Sequence, residues 1–204
     1  MTESPESGNS TRLAQRLRGV LHDMPEGGLS ARQLVARLGA DATWLALLLL
    51  GAAALVPSPG IPLGIVSGTA IALMAVQLLA GSRDLPPVIA RRRVPHRPLA
   101  LVIPYLVPWV ERAESTLRPR LAALSAPATA PLWGLAILVQ GIIIALPVPL
   151  GNTLPGLAVA VLALGLMRRD GLALLAGLVC CALGTGWAVG VVVLGAELAG
   201  MIFT

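Results

Sequence analysis

Long apolar stretches alternate with short polar segments along this chain, and charge is confined to the polar ones. No charged residue occurs between Asp41 and Arg83, between Arg120 and Arg168, or between Asp170 and Glu197. Gaps of this length are rare in water-soluble cores and read as membrane-embedded helices. In the first gap, Trp44 to Val56 predicts a helix of about thirteen residues, roughly 20 Å long and short of the ~30 Å hydrocarbon core. The chain then breaks at Pro57, Pro59, Gly60 and Pro62 and resumes as an apolar helix from about Gly64 to Gly81. The second gap repeats this order: Pro131 to Leu146, a break at Pro147, Pro149 and Gly151, then a helix from about Leu154 to Met167. The elements Val56-Pro57-Ser58-Pro59-Gly60 and Leu146-Pro147-Val148-Pro149-Leu150-Gly151 lie 90 residues apart in register. Each unit therefore predicts a helical hairpin bent near its proline pair. Gly171 through Ala196 is long enough to span a bilayer without proline or charge. Its Gly177, Gly184, Gly186, Gly190 and Gly195, with Gly200 beyond, predict close packing, within the chain or between subunits.

Outside the gaps the periodicity changes. Met1 to Ser10 is polar and predicts a disordered tail with no signal-peptide core. Leu13, Leu17, Val20 and Leu21, with Arg12, Arg16 and Arg18 among them, predict a short amphipathic helix that ends at Met24 to Gly28. Ser30 and Gln33 form a capping box ahead of Leu34, Val35 and Leu38, with Gly39 as the stop. These two basic helices are expected either on the inner membrane surface or against the rest of the protein. Leu99 to Val110 is a further apolar stretch, expected to be broken by Pro104 and Pro108. Glu114 and Arg118, four residues apart, predict a salt-bridged interfacial helix limited by Pro119.

All fifteen basic residues are arginine, against ten acids, for a net charge of +5. They flank apolar segments, a placement that suits an anionic cytoplasmic leaflet and argues against nucleic acid as a partner. Arg32 and Arg37, Arg83 and Arg91 to Arg93, Arg118 and Arg120, and Arg168 and Arg169 bracket the two hairpins. If all are cytoplasmic, both hairpins enter and leave on the inner side, and the last helix carries the C-terminus outward. An inverted repeat is the alternative, should the stretch from Leu99 to Val110 cross. The expected fold is all-α: a polytopic inner-membrane protein with two Pro-broken hairpins, re-entrant or short transmembrane, and a long C-terminal transmembrane helix. Residues 1–28 precede a single integral domain at 29–204, with repeat one at about 30–97 and repeat two at about 98–204.

Candidate chemistry is sparse. No ionisable residue lies within either hairpin, which argues against a proton relay, and Glu197 sits near the far end of the last helix. Cys180 and Cys181 are adjacent in an apolar run, and His22 and His96 lack partners at ligand spacing, so no metal or cofactor is expected. With no nucleophile and base pair, no enzyme is expected either. The breaks offer freed backbone N–H groups at helix N-termini, which attract anions. The binding candidates there are Pro57, Ser58, Pro59, Gly60, Pro147, Pro149, Asn152 and Thr153. Gln77 and Gln140, lone amides in apolar helices, either join helices or meet beside the breaks. The competing reading is that the prolines only bend the chain. Glu114, Arg118 and Arg120 form a second candidate, a guanidinium site for phosphate or a polyanion.

One order of residues resembles a known family. It runs from Ser30-Ala31-Arg32-Gln33-Leu34 with Leu38-Gly39, through the Pro-x-Pro-Gly break, to Gln77 and Gly81 ahead of Leu85-Pro86. Glu114 before Arg118-Pro119-Arg120, Pro147-Val148-Pro149 before Asn152 and Leu154-Pro155, and Arg169-Asp170-Gly171 complete it. The order resembles the bacterial ExoD family, with a departure at Ser82-Arg83-Asp84-Leu85, where the family carries an aromatic residue before Leu-Pro. The resemblance implies an inner-membrane protein connected with exopolysaccharide production. The expected role is a transporter or channel-like protein that binds a small anion, ion or lipid-linked intermediate at the breaks. The alternative is a scaffold for a polysaccharide-synthesis complex. Expected partners are membrane lipids, a second copy forming a dimer, and polysaccharide-synthesis proteins.

Overall fold

The computed structural model describes residues 14–15, 17–19, 25, 28–38, 42–55, 63–82, 87–94, 96–146 and 152–203. The expected N-terminal tail, Gly39 and the break residues Pro57, Ser58, Pro59, Gly60, Pro62, Pro147, Pro149 and Gly151 lie outside them. The helices are α1 (Ala31–Leu38), α2 (Ala42–Leu55), α3 (Leu63–Leu79), α4 (Pro87–Ala90), α5 (His96–Thr116), α6 (Ala130–Ala145), α7 (Thr153–Arg168) and α8 (Gly171–Phe203). Two-residue strands, β1 (Leu29–Ser30) and β2 (Arg93–Val94), pair antiparallel and tie the start of α1 to the segment before α5. The chain is thus all-α apart from this clip.

Local chemistry explains the peripheral elements. The Gln33 N–H donates to Ser30 Oγ at 3.2 Å and the Ser30 N–H donates to Gln33 Oε1 at 3.0 Å, a reciprocal cap on α1. In the first helical segment Ala14 and Leu17 are buried, and Arg18 reaches Glu111 Oε1 at 2.7 Å. Both charged groups are about half exposed or more, so this pair is worth ~1 kcal/mol at most. The segment therefore rests against the protein. Helix α5 runs unbroken through Pro104 and Pro108, contrary to the expected break. Its buried stripe is Leu99, Ile103, Val107 and Val110, while both prolines and Trp109 lie on the exposed face. A proline removes one hydrogen bond and crowds the preceding turn. On an outward face the freed carbonyls of Ala100 and Pro104 can be solvated, and the packed stripe outweighs the cost.

The core is a ring in which α2 packs on α3 and α7, and α6 packs on α3 and α7. Two backbone contacts set its geometry. A Cβ placed on Gly51 would stand 2.9 Å from the Gly156 carbonyl oxygen, and one on Gly156 would stand 2.8 Å from that of Gly51. Likewise, a Cβ on Gly68 would meet the Gly141 carbonyl oxygen at 2.7 Å, and one on Gly141 would meet the Ala72 nitrogen at 2.8 Å. Only glycine admits either approach. Gly51 and Gly141 are themselves 90 residues apart, like the proline pairs.

The neighbours run antiparallel. Leu79 of α3 packs on Gly134 of α6 at one end, and Gly64 packs on Ile144 and Asn152 at the other, where Leu55 of α2 meets Gly156 of α7. The four helix ends that border the two breaks therefore converge at one end of the ring. Helix α8 packs along α7, with Leu174 at Gly165, Gly177 at Leu162 and Gly184 at Pro155. One turn further on Ala188 is still buried, while Cβ atoms placed on Gly186, Gly190, Gly195 and Gly200 would meet nothing among the described residues. The outer faces are apolar: Ile65, Val66 and Val76 of α3 and Leu132, Leu135 and Ile142 of α6 are exposed. Among the described residues two segments are long and apolar enough to cross a membrane, Pro127–Ala145 and Gly171–Gly195.

Glycine substitutions separate packed from open positions. Gly51→Ala and Gly141→Ala are expected to destabilise by about 1–3 kcal/mol through overpacking, despite the ~1 kcal/mol helix-propensity gain of alanine. Gly186→Ala, with nothing near it, is expected to be neutral or stabilising. Thermal unfolding of the purified variants in detergent checks both.

Candidate functional site

The converging helix ends near the breaks form the first candidate. Asn152 sits at the start of α7, where a Cβ on Gly64 would stand 2.5 Å from its Nδ2. Asn152 makes no side-chain cap on α7, because its backbone is already in the right-handed helical region. Its Oδ1 is buried with no hydrogen-bond partner among the described residues. Thr153 follows on the exposed side. One turn before the end of α6, Gln140 is 1% exposed. Its Nε2 donates to Thr185 Oγ1 at 3.1 Å and to the Cys181 carbonyl at 3.4 Å. A backbone carbonyl can only accept, which fixes the amide orientation and turns Oε1 away from the Cys181 carbonyl. There Oε1 lies beside Gly184 and Pro155, a residue with no N–H, and it is unpartnered among the described residues.

Gln140 thus joins α6 to α8, and it does not meet Gln77. The antiparallel register sets Gln77, half-buried on α3, near the Gly134 end, whereas Gln140 lies level with Ala72, an offset of roughly 7 Å. Each such interhelical bond contributes about 1 kcal/mol in a membrane.

The second candidate lies at the opposite end, roughly 20 Å away along α7. Helix α5 stops at Thr116, so Arg118 falls beyond it, whereas the expectation had the helix continue to Pro119; the side chain of Glu114, its expected partner, lies outside the described residues. Arg118 to Arg120 instead crosses the start of α8 as a short strap. The Arg120 carbonyl accepts from the Gly171 N–H at 2.8 Å, and a Cβ on Gly171 would stand 2.5 Å from Leu121 Cβ. Asp170 organises this corner. Its carboxylate accepts from the backbone N–H groups of Arg118 at 3.0 Å, Leu172 at 3.0 Å and Ala173 at 3.4 Å, and Arg120 Nε stands 3.4 Å away. Leu172 and Ala173 are in the first turn of α8, so Asp170 is its N-cap. The residue is fully buried, the one buried charged side chain among the described residues.

Burial pushes the Asp170 carboxyl up, but the three backbone N–H donors and the Arg120 charge outweigh it and hold the group below its ordinary value. Both non-glycine residues with left-handed backbone among those described, Leu121 at φ 50° and Arg169 at φ 53°, flank the same corner. Arg169 ends α7, and the Asp170 N–H closes onto the Gly165 carbonyl at 2.9 Å in a Schellman turn. In the sequence Asp170 stands as a charge bounding the last apolar run and as part of Arg169-Asp170-Gly171; an Asp before a glycine that opens an apolar run is also an N-cap signal.

A family model described as exopolysaccharide synthesis, ExoD, matches residues 13–190. The chain belongs to the ExoD family. Protein ExoD of Rhizobium meliloti (strain 1021) is 31% identical over 180 residues, covering 84% of this chain and 74% of that protein. An uncharacterized protein of Synechocystis sp. is 29% identical over 140 residues, covering 66% of this chain and 64% of its own length. No solved structure matches the chain. The ExoD match spans the ring, both candidate sites and α8 as far as Gly190, leaving the end of α8 outside it. ExoD membership and the two spanning-length apolar segments together point to a membrane protein with a role in exopolysaccharide synthesis.

The Asp170 shift fixes a sign. A carboxyl whose folded value is depressed contributes stability that is fully present above its unfolded value of about 4 and is lost as pH falls through the folded value. Thermal stability is therefore expected to be flat above roughly pH 5 in this respect and to fall in stronger acid. Asp170→Asn is expected to cost about 2 kcal/mol at neutral pH and to flatten the acid limb, as measured by unfolding across pH.

Proposed function

We propose that this chain is an inner-membrane component of exopolysaccharide synthesis whose two hairpins are re-entrant from the cytoplasmic side. In this reading they present their breaks, with Asn152 and Thr153, to a small anion, ion or lipid-linked intermediate. The observation that carries the reading is the level at which α8 leaves the ring. Helix α8 meets α7 at Gly184 and Pro155, about 20 Å from its start at Gly171, and is last buried at Ala188, about 26 Å along, whereas its apolar run extends to Gly195, about 36 Å along. If α8 spans the bilayer, the break-bordering ends lie inside the hydrocarbon rather than at the far surface. Irregular backbone at that depth is tolerated where it lines a cavity or is covered by protein. The strap, with Arg118 and Arg120, and the corner, with Arg168 and Arg169, lie at the opposite end, which fits the positive-inside bias.

The scaffold reading rests on the exposed Arg91, Arg92 and Arg93 beside the β clip. The exposed outer part of α8, with Gly186 and Gly190 four residues apart and open among the described residues, supports a dimer through that helix.

Two measurements test these readings. With Cys180 and Cys181 replaced by alanine, Ser125→Cys is expected to label from the cytoplasm, and Gly60→Cys and Gly151→Cys to behave alike. Labelling of the latter two from opposite faces overturns the same-side arrangement. In a strain dependent on this chain for polymer, Asn152→Ala is expected to cut exopolysaccharide several-fold at unchanged membrane abundance. Charge reversal at Arg91 to Arg93 is expected to leave it near normal, and the reverse result favours the scaffold.

A further inference from the structure

The Asp170 corner holds more positive charge than its structural task uses. Four arginines, Arg118, Arg120, Arg168 and Arg169, lie on the backbone segments that meet there, against one buried carboxylate. Only Arg120 is engaged by that carboxylate, and its second contact is a 3.3 Å bond from Nη2 to the Thr116 carbonyl. Arg118 and Arg169 are exposed, and neither side chain has a partner among the described residues. The corner is also rigid: it combines a fully buried N-cap, a strap bonded to both Asp170 and Gly171, and two left-handed residues held in place. Holding such backbone costs about 1–3 kcal/mol per residue and persists where surrounding structure over-determines it. Exposed guanidinium groups anchored on a fixed backbone frame suit phosphate, which accepts bidentate hydrogen bonds from arginine.

We propose that the strap and the α7–α8 corner form a phosphate-binding site, in which Arg118 and Arg169 contact the ligand and Asp170 is the positioning residue. The site lies at the opposite end of the ring from the breaks and stands whether or not the breaks bind anything. Its ligand chemistry is a phosphate monoester or diester, available from a lipid headgroup or from free phosphate. Asp170 acts through geometry. Its carboxylate pins the Arg118 backbone N–H and draws Arg120 inward, which leaves Arg118 and Arg169 facing outward. An asparagine there still caps Leu172 and Ala173 through its carbonyl oxygen. Its amide group, however, turns donors toward the Arg118 N–H and Arg120, so the strap is released while the helix cap remains.

The test uses the full chain in phosphatidylcholine nanodiscs, titrated calorimetrically with inorganic phosphate. In parallel, native mass spectrometry measures retention of phosphatidic acid against phosphatidylcholine. R118Q/R169Q is expected to weaken binding of whichever probe binds by tenfold or more, and D170N by several-fold with helical content unchanged. R91Q/R92Q/R93Q is expected to change it by less than twofold. Preferential retention of phosphatidic acid without phosphate binding assigns the site to a headgroup, and phosphate binding of comparable strength assigns it to the free anion. Failure of both probes, or equal weakening by the distant triple variant, overturns the site in favour of diffuse surface charge. Should D170N fail to fold, R118Q/R169Q, which leaves Asp170 in place, still decides the matter.

Discussion

Backbone laid directly on backbone is the constraint from which the rest of this molecule follows. At Gly51 with Gly156, and at Gly68 with Gly141, the missing Cβ atoms let carbonyl oxygens of one helix sit against the Cα of the next. Between apolar helices in lipid there is little hydrophobic drive, so association depends on such close van der Waals contact and on a few hydrogen bonds. The two contacts pair α2 with α7 and α3 with α6, so each proline-linked helix finds its tightest neighbour outside its own unit. That crosswise pairing brings the four break-bordering ends together and presents a continuous flank to α8, which Gln140 then fastens.

Polarity is segregated to the two ends. At one end a fully buried carboxylate collects three backbone donors and a guanidinium. At the other, amide oxygens of Asn152 and Gln140 stand unpartnered among the described residues, in surroundings without charge. The first arrangement is electrostatically closed around Asp170 and open around Arg118 and Arg169. The second offers acceptors as well as helix N-terminal donors, a mixture suited to hydroxyl-bearing groups as much as to simple anions.

Much of the helical layout was legible in the sequence, because apolar runs bounded by proline and arginine delimit α2, α3, α6, α7 and the start of α8 closely. The cap at Ser30 and Gln33 was legible for the same local reason. What escaped was non-local. Nothing in the sequence says which glycine faces which, so the small residues of α8 drew attention while the decisive pairs lay elsewhere. Asp170 passed as a boundary charge because its strap partner, Arg118, is 52 residues away. Pro104 and Pro108 misled because the cost of a helical proline depends on the face it occupies, and that face is set by Leu99, Ile103, Val107 and Val110. Of the predicted site residues, Arg118 through its backbone and Arg120 through its guanidinium both meet Asp170, Asn152 joins Gly64, and Gln77 stands apart from Gln140.

The unequal lengths of the helices have a consequence for the bilayer itself. Helices α2, α3, α6 and α7, of 14 to 17 residues, measure about 21–26 Å, whereas the 33 residues of α8 measure about 50 Å. A lipid layer cannot match both at once, and hydrophobic mismatch costs a fraction of a kcal/mol per Å. In the proposed re-entrant placement the ring would stop within the hydrocarbon while α8 continues across it, so lipid would have to pack over the break-bordering ends on one flank and along a full-length helix on the other.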